Sequence, residues 1–484
     1  MRFSRLPLGL ALASAVTASA AFAQEMRQPA STVAFNEYYQ PMGEKSPSDK
    51  PAPAPMMAEA PASMNVDCGC NTGCNSCNSC DSCGGGCGCK LNCPDACPMW
   101  HLFDDCCCLK EHCATLGGYL EGGYTANGRG RNDAWNGPVG FNDRADEFEG
   151  NQAYISLEKV TKSCDCDWDL GGRIDFLYGT DARWIESAGL EKNTTGNEKW
   201  VKNSRLYHLA MVQAYAEVAK EDWKVKIGKF ITSLEYETID RRNNFFYSNS
   251  YGFLYGVNFT ETGVMATKTV DENFNWQVGF STGVDNFVDN DGRIAFLGGF
   301  NWTSCDKKTN IAYNIIVGDE RNIFGNETNQ TNYSLVWTEK LNDRLTNVFV
   351  HDLGVQAKGA CGCRKDATWY SLADYLLYQL SCDWWLGGRV EWFRDTDGTR
   401  VAPPGDSLNA NAASFPGSNA ASSGGFAGDF YEYTIGLNYK PLSNPNLVVR
   451  PELRYDNYSG TGHPFDNGTK NNQFLFAIDA IYQF

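Results

Sequence analysis

The chain has 484 residues, with 58 acidic against 41 basic side chains for a net charge of -17, and a mean hydropathy of -0.41. No basic stripe points to nucleic acid, and beyond residue 20 no stretch approaches the ~20 consecutive apolar residues of a spanning helix. A membrane β-barrel is not excluded, because its apolar and polar residues alternate and the average hides both; 48 Gly, 27 Phe, 23 Tyr and 13 Trp suit such a sheet, Tyr and Trp being the amphipathic rings of a membrane–water interface.

Residues 1–23 read as a secretory signal peptide. Arg2 and Arg5 precede an apolar run from Leu6 to Ala20, and Ala21-Phe22-Ala23 is a small-x-small cleavage site before Gln24. Residues 24–66, rich in Pro, Ala, Met and Ser, hold few core-forming side chains and read as a disordered linker. Residues 67–114 carry 14 of the 20 cysteines, spaced by Gly, Asn and Ser. Such a segment needs staples in place of a hydrophobic core. Disulfides are the default in an exported chain, but C-x-x-C pairs such as Cys74, Cys77, Cys80 and Cys83 also suit zinc or copper(I).

From 115 to 484 the chain follows one grammar. Short polar turns at 161–166, 220–222, 271–273, 304–308, 340–344, 381–383 and 441–445 alternate with long polar loops near 126–148, 179–204, 232–261, 285–292, 319–330, 357–367, 396–429 and 458–471. This succession predicts about sixteen strands in an all-β fold, a transmembrane antiparallel β-barrel with short periplasmic turns and longer outer loops. The acidic turn around Asp285 and Asp289 lacks the spacing and closing Glu of an EF-hand and reads as a turn.

Period-two alternation divides the side chains into an outer apolar set and an inner polar one. Trp168, Leu170, Ile174 and Tyr178 oppose Arg173 and Asp175; Trp223, Val225 and Ile227 oppose Lys224 and Lys226; Trp384, Val390 and Trp392 oppose Arg389 and Glu391. Tyr431, Tyr433, Ile435 and Leu437 oppose Glu432, and Leu447, Val449, Leu453 and Tyr455 oppose Arg450, Glu452, Arg454 and Asp456. Pro451 is awkward in a ladder and predicts a bulge. In the last segment Phe474, Phe476, Ile478, Ala480, Tyr482 and Phe484 oppose Leu475, Ala477, Asp479 and Ile481. A dry core would not tolerate this many inner charges, whereas a sheet of about sixteen strands encloses an aqueous lumen. The inner charges are mixed in sign, so the expectation is at most a weak cation preference.

By parity, Cys164, Cys166, Cys305 and Cys382 fall on the periplasmic rim and Cys361 and Cys363 outside. The rim cysteines either pair with the 67–114 segment or pair locally, Cys305 with Cys382 for example. His101, His112, His208, His351 and His463 are scattered and accompany no nucleophile motif, so no enzyme and no cofactor is read here.

The stretch Val225-Lys226-Ile227-Gly228-Lys229-Phe230-Ile231-Thr232, with Glu235-Tyr236-Glu237 and Asn243-Asn244-Phe245-Phe246-Tyr247-Ser248, resembles the OmpL-like β-barrel porins, as does the Tyr482-Gln483-Phe484 ending. The resemblance implies an outer-membrane channel in contact with lipid, passive passage of small hydrophilic solutes, homotrimers, and recognition of the strand ending in Phe484 by the barrel-assembly machinery. It also implies that the loop 232–261 folds into the lumen as a constriction, with Glu235, Glu237, Asp240, Arg241, Arg242 and Glu261 as its charged residues. The pore lining would then be Arg173, Asp175, Lys224, Lys226, Arg389, Glu391, Arg450, Glu452 and Arg454. The Cys-rich segment lies outside the family pattern and supports the alternative of a barrel-anchored metal-binding or disulfide-linked envelope protein.

Overall fold

A computed structural model describes residues 96–484 except 104–105, 107, 110–111, 129–134, 162–167, 194–196, 203, 290–291, 322–325, 361–363, 402–424 and 467. The signal peptide, the linker and the metal candidates Cys74, Cys77, Cys80 and Cys83 lie outside the described residues.

Sixteen strands follow in order: β1 (Thr115–Asn127), β2 (Glu147–Lys159), β3 (Trp168–Gly179), β4 (His208–Lys220), β5 (Trp223–Ile231), β6 (Thr260–Asp271), β7 (Phe274–Ser281), β8 (Ala295–Thr303), β9 (Thr309–Arg321), β10 (Glu327–Asn342), β11 (Leu345–Ala360), β12 (Lys365–Gln379), β13 (Trp384–Asp395), β14 (Gly428–Tyr439), β15 (Leu447–Gly460) and β16 (Asn472–Gln483). Each pairs antiparallel with its neighbours in sequence, and β16 closes the barrel on β1 with Gly122 opposite Ala480. Closure removes the exposed edges that an open sheet would present. The fold agrees with the all-β barrel that the turn grammar predicts, including the six short turns from 220–222 to 441–445.

Side chains sort by parity. On β16 the even-numbered residues Phe474, Phe476, Ile478 and Tyr482 are exposed, while Leu475, Ala477, Asp479 and Ile481 are buried in the lumen. Rings cluster on the outer surface at the short-turn end, where Trp223 meets Trp276 edge-on at 5.0 Å and Trp384 stacks on Tyr439 at 4.6 Å. This is where an amphipathic belt belongs.

Two register shifts fall beside lumenal acids, one between Glu121 and Gly123 and one between Asp175 and Phe176. Such irregularities bend a strand and re-aim its side chains. The bulge expected at Pro451 is absent. The β14–β15 register is the same at Gly436↔Glu452 and at Tyr439↔Val449, and the pairing is interrupted between them. Pro451, which has no N–H to give, sits in that interruption and pairs only with Ile478 of β16.

Candidate functional site: the lumen and its inserted loop

The connection from β5 to β6, residues 232–259, turns inward. Asp240 starts a short 3-10 turn at Arg241–Asn243 by accepting from the Arg242 N–H at 3.2 Å, and Gly252–Gly256 forms one π-helical turn. The loop's aromatic residues seat where the wall has no side chains. A Cβ on Gly123 would meet the Tyr247 ring, one on Gly387 the Phe245 ring, and one on Gly436 the Phe246 ring. Glycine is used here for close approach.

Three wall arginines and one from an outer connection then bind the loop. Arg389 donates to Glu237 Oε1 at 2.6 Å, to Glu432 Oε2 at 2.9 Å and to the Ser248 carbonyl at 2.9 Å. Arg450 pairs with Asp479 at 2.5 Å and Glu121 at 3.1 Å, and also donates to the Arg241 and Asn244 carbonyls at 3.0 and 2.8 Å. Arg454 pairs with Asp456 and donates to the Asn249 carbonyl at 2.6 Å. Arg400, from the β13–β14 connection, donates to the Tyr255 carbonyl at 2.7 Å over the Trp369 ring; burial pulls its pKa down to about 10.

Wall acids complete the attachment. Glu452 accepts from the Tyr247 and Ser248 N–H groups at 2.9 and 3.1 Å, and Glu391 from the Tyr251 and Gly252 N–H groups at 2.6 Å each. The exit is clamped from an outer loop: Asp285 Oδ1 accepts from the Phe259 and Thr260 N–H groups at 3.0 and 2.8 Å, and burial raises its pKa to about 6. Charge-assisted bonds of this kind are strong when buried and fully paired, and costly when one member is lost.

The six residues expected to form the constriction are all buried and sit at the loop or its root. Arg241 pairs with Glu121 at 3.2 Å, Arg242 with Asp240 at 2.6 Å and Glu237 with Arg389. Glu261 accepts from Asn258 at 2.6 Å. Glu235 Oε2 accepts from the Glu237 N–H at 2.8 Å while Oε1 has no hydrogen bond. Of the expected lining residues, Asp175, Lys226, Arg389, Glu391, Arg450, Glu452 and Arg454 are buried, and Arg173 and Lys224 are half-buried. Arg173 pairs with Asp175 at 2.8 Å and Glu158 at 3.2 Å, and Lys226 lies 5.3 Å from the Tyr215 and Phe230 rings.

Sequence reasoning missed Glu121, which sits between Arg241 and Arg450, and Asp352. Alternation in β1, which places Tyr119 and Glu121 on one face, was a signal for the first. The opposite arc of the wall has a different chemistry. From β7 to β10 the lumenal side chains include Gln277, Asn301, Asn310, Asn314, Gln330, Asn332, Ser334 and Thr338. Some of these amides bond to one another, as in Asn310 to Asn301 and Gln277 to Asn314 at 3.4 Å, and others to backbone carbonyls, as Asn332 to Gly256 at 3.3 Å. A small cavity opens on this side, lined by Lys226, Leu234, Glu261, Met265, Gln277 and Ile316 among others.

Glu186 and Glu198 of the β3–β4 connection and His208 at the start of β4 bring three potential ligand atoms within 4.8 Å of one another. Lys192 already neutralises them, 2.8 Å from Glu186 and 3.7 Å from Glu198, so the donor set is that of an ion-pair network.

The described barrel is similar in fold to the outer membrane channel DcaP of Acinetobacter baumannii, at 12% identity over 77% of this chain and 97% of that one with a TM-score of 0.48. It is similar also to the trimer form of OmpT of Vibrio cholerae, at 12% identity over 77% and 99% with a TM-score of 0.46, and to OprB of Pseudomonas putida, at 12% over 77% and 94% with a TM-score of 0.46. Among curated proteins none matches the sequence. A family model described as "Putative beta-barrel porin-2, OmpL-like" matches residues 114–484, well over half the chain. With a closed sixteen-strand barrel and a loop folded into its lumen, the chain belongs to this OmpL-like family of outer-membrane β-barrel porins.

Proposed function

We propose that this porin passes small hydrophilic solutes through a passage bounded by the inserted loop on one side and the amide-lined arc of β7–β10 on the other. The observation that carries this reading is the attachment of residues 237–252 to the walls of β13–β16 and β1, which assigns that arc to holding the loop. Glu237, Asp240, Arg241 and Arg242 then act by fixing the loop's position, since their charges are spent on buried pairs. A passage lined by amides and hydroxyls has little to discriminate ions with, so selectivity is a weak cation preference at most.

The same reading places the short turns and the N-terminal segment in the periplasm. It has the strand ending in Phe484 recognised by the assembly machinery, and extends the family resemblance to a homotrimer. Phe484 exchanges two backbone hydrogen bonds with Gly118, at 2.9 and 3.0 Å, at the seam where the barrel closes. The channel needs no cofactor and performs no chemical step. Planar-bilayer recording tests the reading: deletion of residues 235–245 raises single-channel conductance. Unchanged conductance and selectivity in a folded deletion variant would remove the loop from the permeation path.

A further inference from the structure

Cys305 is a free thiol whereas Cys382 is disulfide-bonded, so the local pair of these two rim cysteines is not formed. On the outer wall, two ionisable side chains face the lipid. On β11, Val350 and Asp352 are buried in the lumen and His351 between them is half-buried on the outside; on β12, Asp374 stands in the same way between Ala373 and Tyr375. The outward rows of β2, β14 and β16 carry Ile155 and Leu157, Tyr433 and Ile435, and Phe476 and Ile478 instead.

The depth of these groups is set by the rings on the same face of β12. Tyr378 lies under the Arg344 guanidinium at 4.8 Å, at the short-turn end. Tyr370 meets Trp392 edge-on at 5.2 Å, and Trp392 Nε1 donates to Asp429 at 2.9 Å, toward the outer loops. Eight residues separate the two tyrosines, about 27 Å along a strand and about 21 Å of depth at the usual tilt, close to the ~25 Å apolar band of an outer-membrane barrel. Asp374 stands midway between them, and His351, opposite Leu372, stands diagonally across from Asp374, ~7–8 Å away. Asp374 Oδ1 accepts from Asn347 at 2.7 Å and His351 Nδ1 bonds the Tyr333 hydroxyl at 3.2 Å. Among the described residues nothing bonds the other atoms, Asp374 Oδ2 and His351 Nε2. Lipid offers such atoms no partner, and ionisable side chains at this depth pair with protein.

We infer that the outer face of β10–β12 is where one copy of this chain packs against the next, with His351 of one copy donating through Nε2 to Asp374 Oδ2 of its neighbour. With Nδ1 accepting from Tyr333, Nε2 carries the proton. One patch thus holds both a donor and an acceptor, which makes it complementary to a second copy of itself, and in a homotrimer three such bonds close a ring. The flanking row, Phe300 to Tyr313 at 5.8 Å and Tyr313 to Tyr333 at 5.5 Å, supplies the aromatic surface that protein contacts favour. The inference rests on the homotrimer of the proposed function and names its contact face.

The test places the photo-crosslinker p-benzoylphenylalanine at Leu372, beside the patch, and at Ile155 as a control, in full-length protein irradiated in native membranes. Leu372 should give adducts containing only this chain, at two and three times its mass, and Ile155 lipid adducts alone. Lipid adducts alone at Leu372, or an adduct with a different protein, would overturn the contact. In parallel, native mass spectrometry compares the wild-type protein with the His351→Leu, Asp374→Leu double variant. The expected result is a trimer that becomes a folded monomer, with the conductance of each barrel unchanged. A wild-type monomer would overturn the homotrimer and the contact together. A trimer that persists in the double variant would overturn the contact alone.

Discussion

The two arcs of the lumen wall carry different work. On β13–β16 and β1 the inward side chains include a dense set of arginines and carboxyl groups, and several bond to the inserted loop: Arg389 to Glu237, Arg450 to the Arg241 carbonyl, Glu452 to the Tyr247 N–H and Glu391 to the Tyr251 N–H. On β7–β10 the inward side chains are mostly amides, hydroxyls and apolar groups, such as Gln277, Asn314, Asn332, Thr338 and Ile316, with Glu320 as a buried acid, and the loop touches them at few points. The contrast shows that charge in this lumen also serves to hold backbone in place. A buried, paired charge is a strong and directional fastener, and a backbone segment crossing a lumen needs fasteners because its N–H and C=O groups would otherwise go unpaired.

The largest effect should follow from breaking the fastened arc. Arg450→Ala leaves Asp479 buried without its cation, leaves Glu121 with Arg241 alone, and strips donors from two loop carbonyls. Removing one partner of such a pair costs about 3–5 kcal/mol. The expected outcome is an earlier thermal transition in detergent together with noisy, enlarged single-channel currents. A variant as stable and as quiet as the wild-type protein would show that the arc does not hold the loop.

This division was only partly legible in the sequence. Strand number, the turns and the inner and outer faces follow from period two, because lipid outside and water or charge inside impose opposite demands on successive residues. The inward orientation of Arg389, Glu391, Arg450, Glu452 and Arg454 was readable for the same reason. What those charges bind was not. The partner of Arg450 includes Glu121, more than three hundred residues earlier and brought adjacent only by closure of β1 on β16. Likewise Gly123, Gly387 and Gly436 look like ordinary strand glycines until the loop rings of Tyr247, Phe245 and Phe246 are set against them. The wall groups that the loop selects depend on three-dimensional placement, which alternation does not encode.

A milder change sharpens the comparison from the other arc. Asn314 accepts from Gln277 through Oδ1 at 3.4 Å, and Asn314→Asp keeps an acceptor there while adding one negative charge to the amide-lined side. If solutes pass along this side, the reversal potential in a salt gradient should shift toward cations severalfold, with stability changing by only about 1 kcal/mol, the scale of one hydrogen bond. The same substitution would leave selectivity untouched if the passage ran elsewhere.

The smallest expected effect lies where the two arcs meet, at the root of the loop. The Glu235 N–H donates to Ser334 Oγ of β10 at 3.0 Å, and Asp352 of β11 lies opposite Ser334. Burial first, then the charges of Asp352 and Glu237, push the Glu235 carboxyl well above the usual carboxylate range. The seated loop therefore holds a proton that a released loop, with an ordinary value near ~4.3, would lose. The sign follows: this contribution to seating is full at pH below that ordinary value and declines as pH rises toward the raised one, by at most about 1.4 kcal/mol per pH unit. Hydrogen exchange of the amides at 235–245 should accordingly quicken as pH rises above the ordinary carboxylate value of ~4.3, beyond the intrinsic base-catalysed trend. Glu235→Gln keeps an acceptor for the Glu237 N–H and cannot ionise, so its excess pH dependence should flatten. An unaltered profile in this variant would move the proton from Glu235 to another group and leave the junction of the arcs indifferent to pH through this residue.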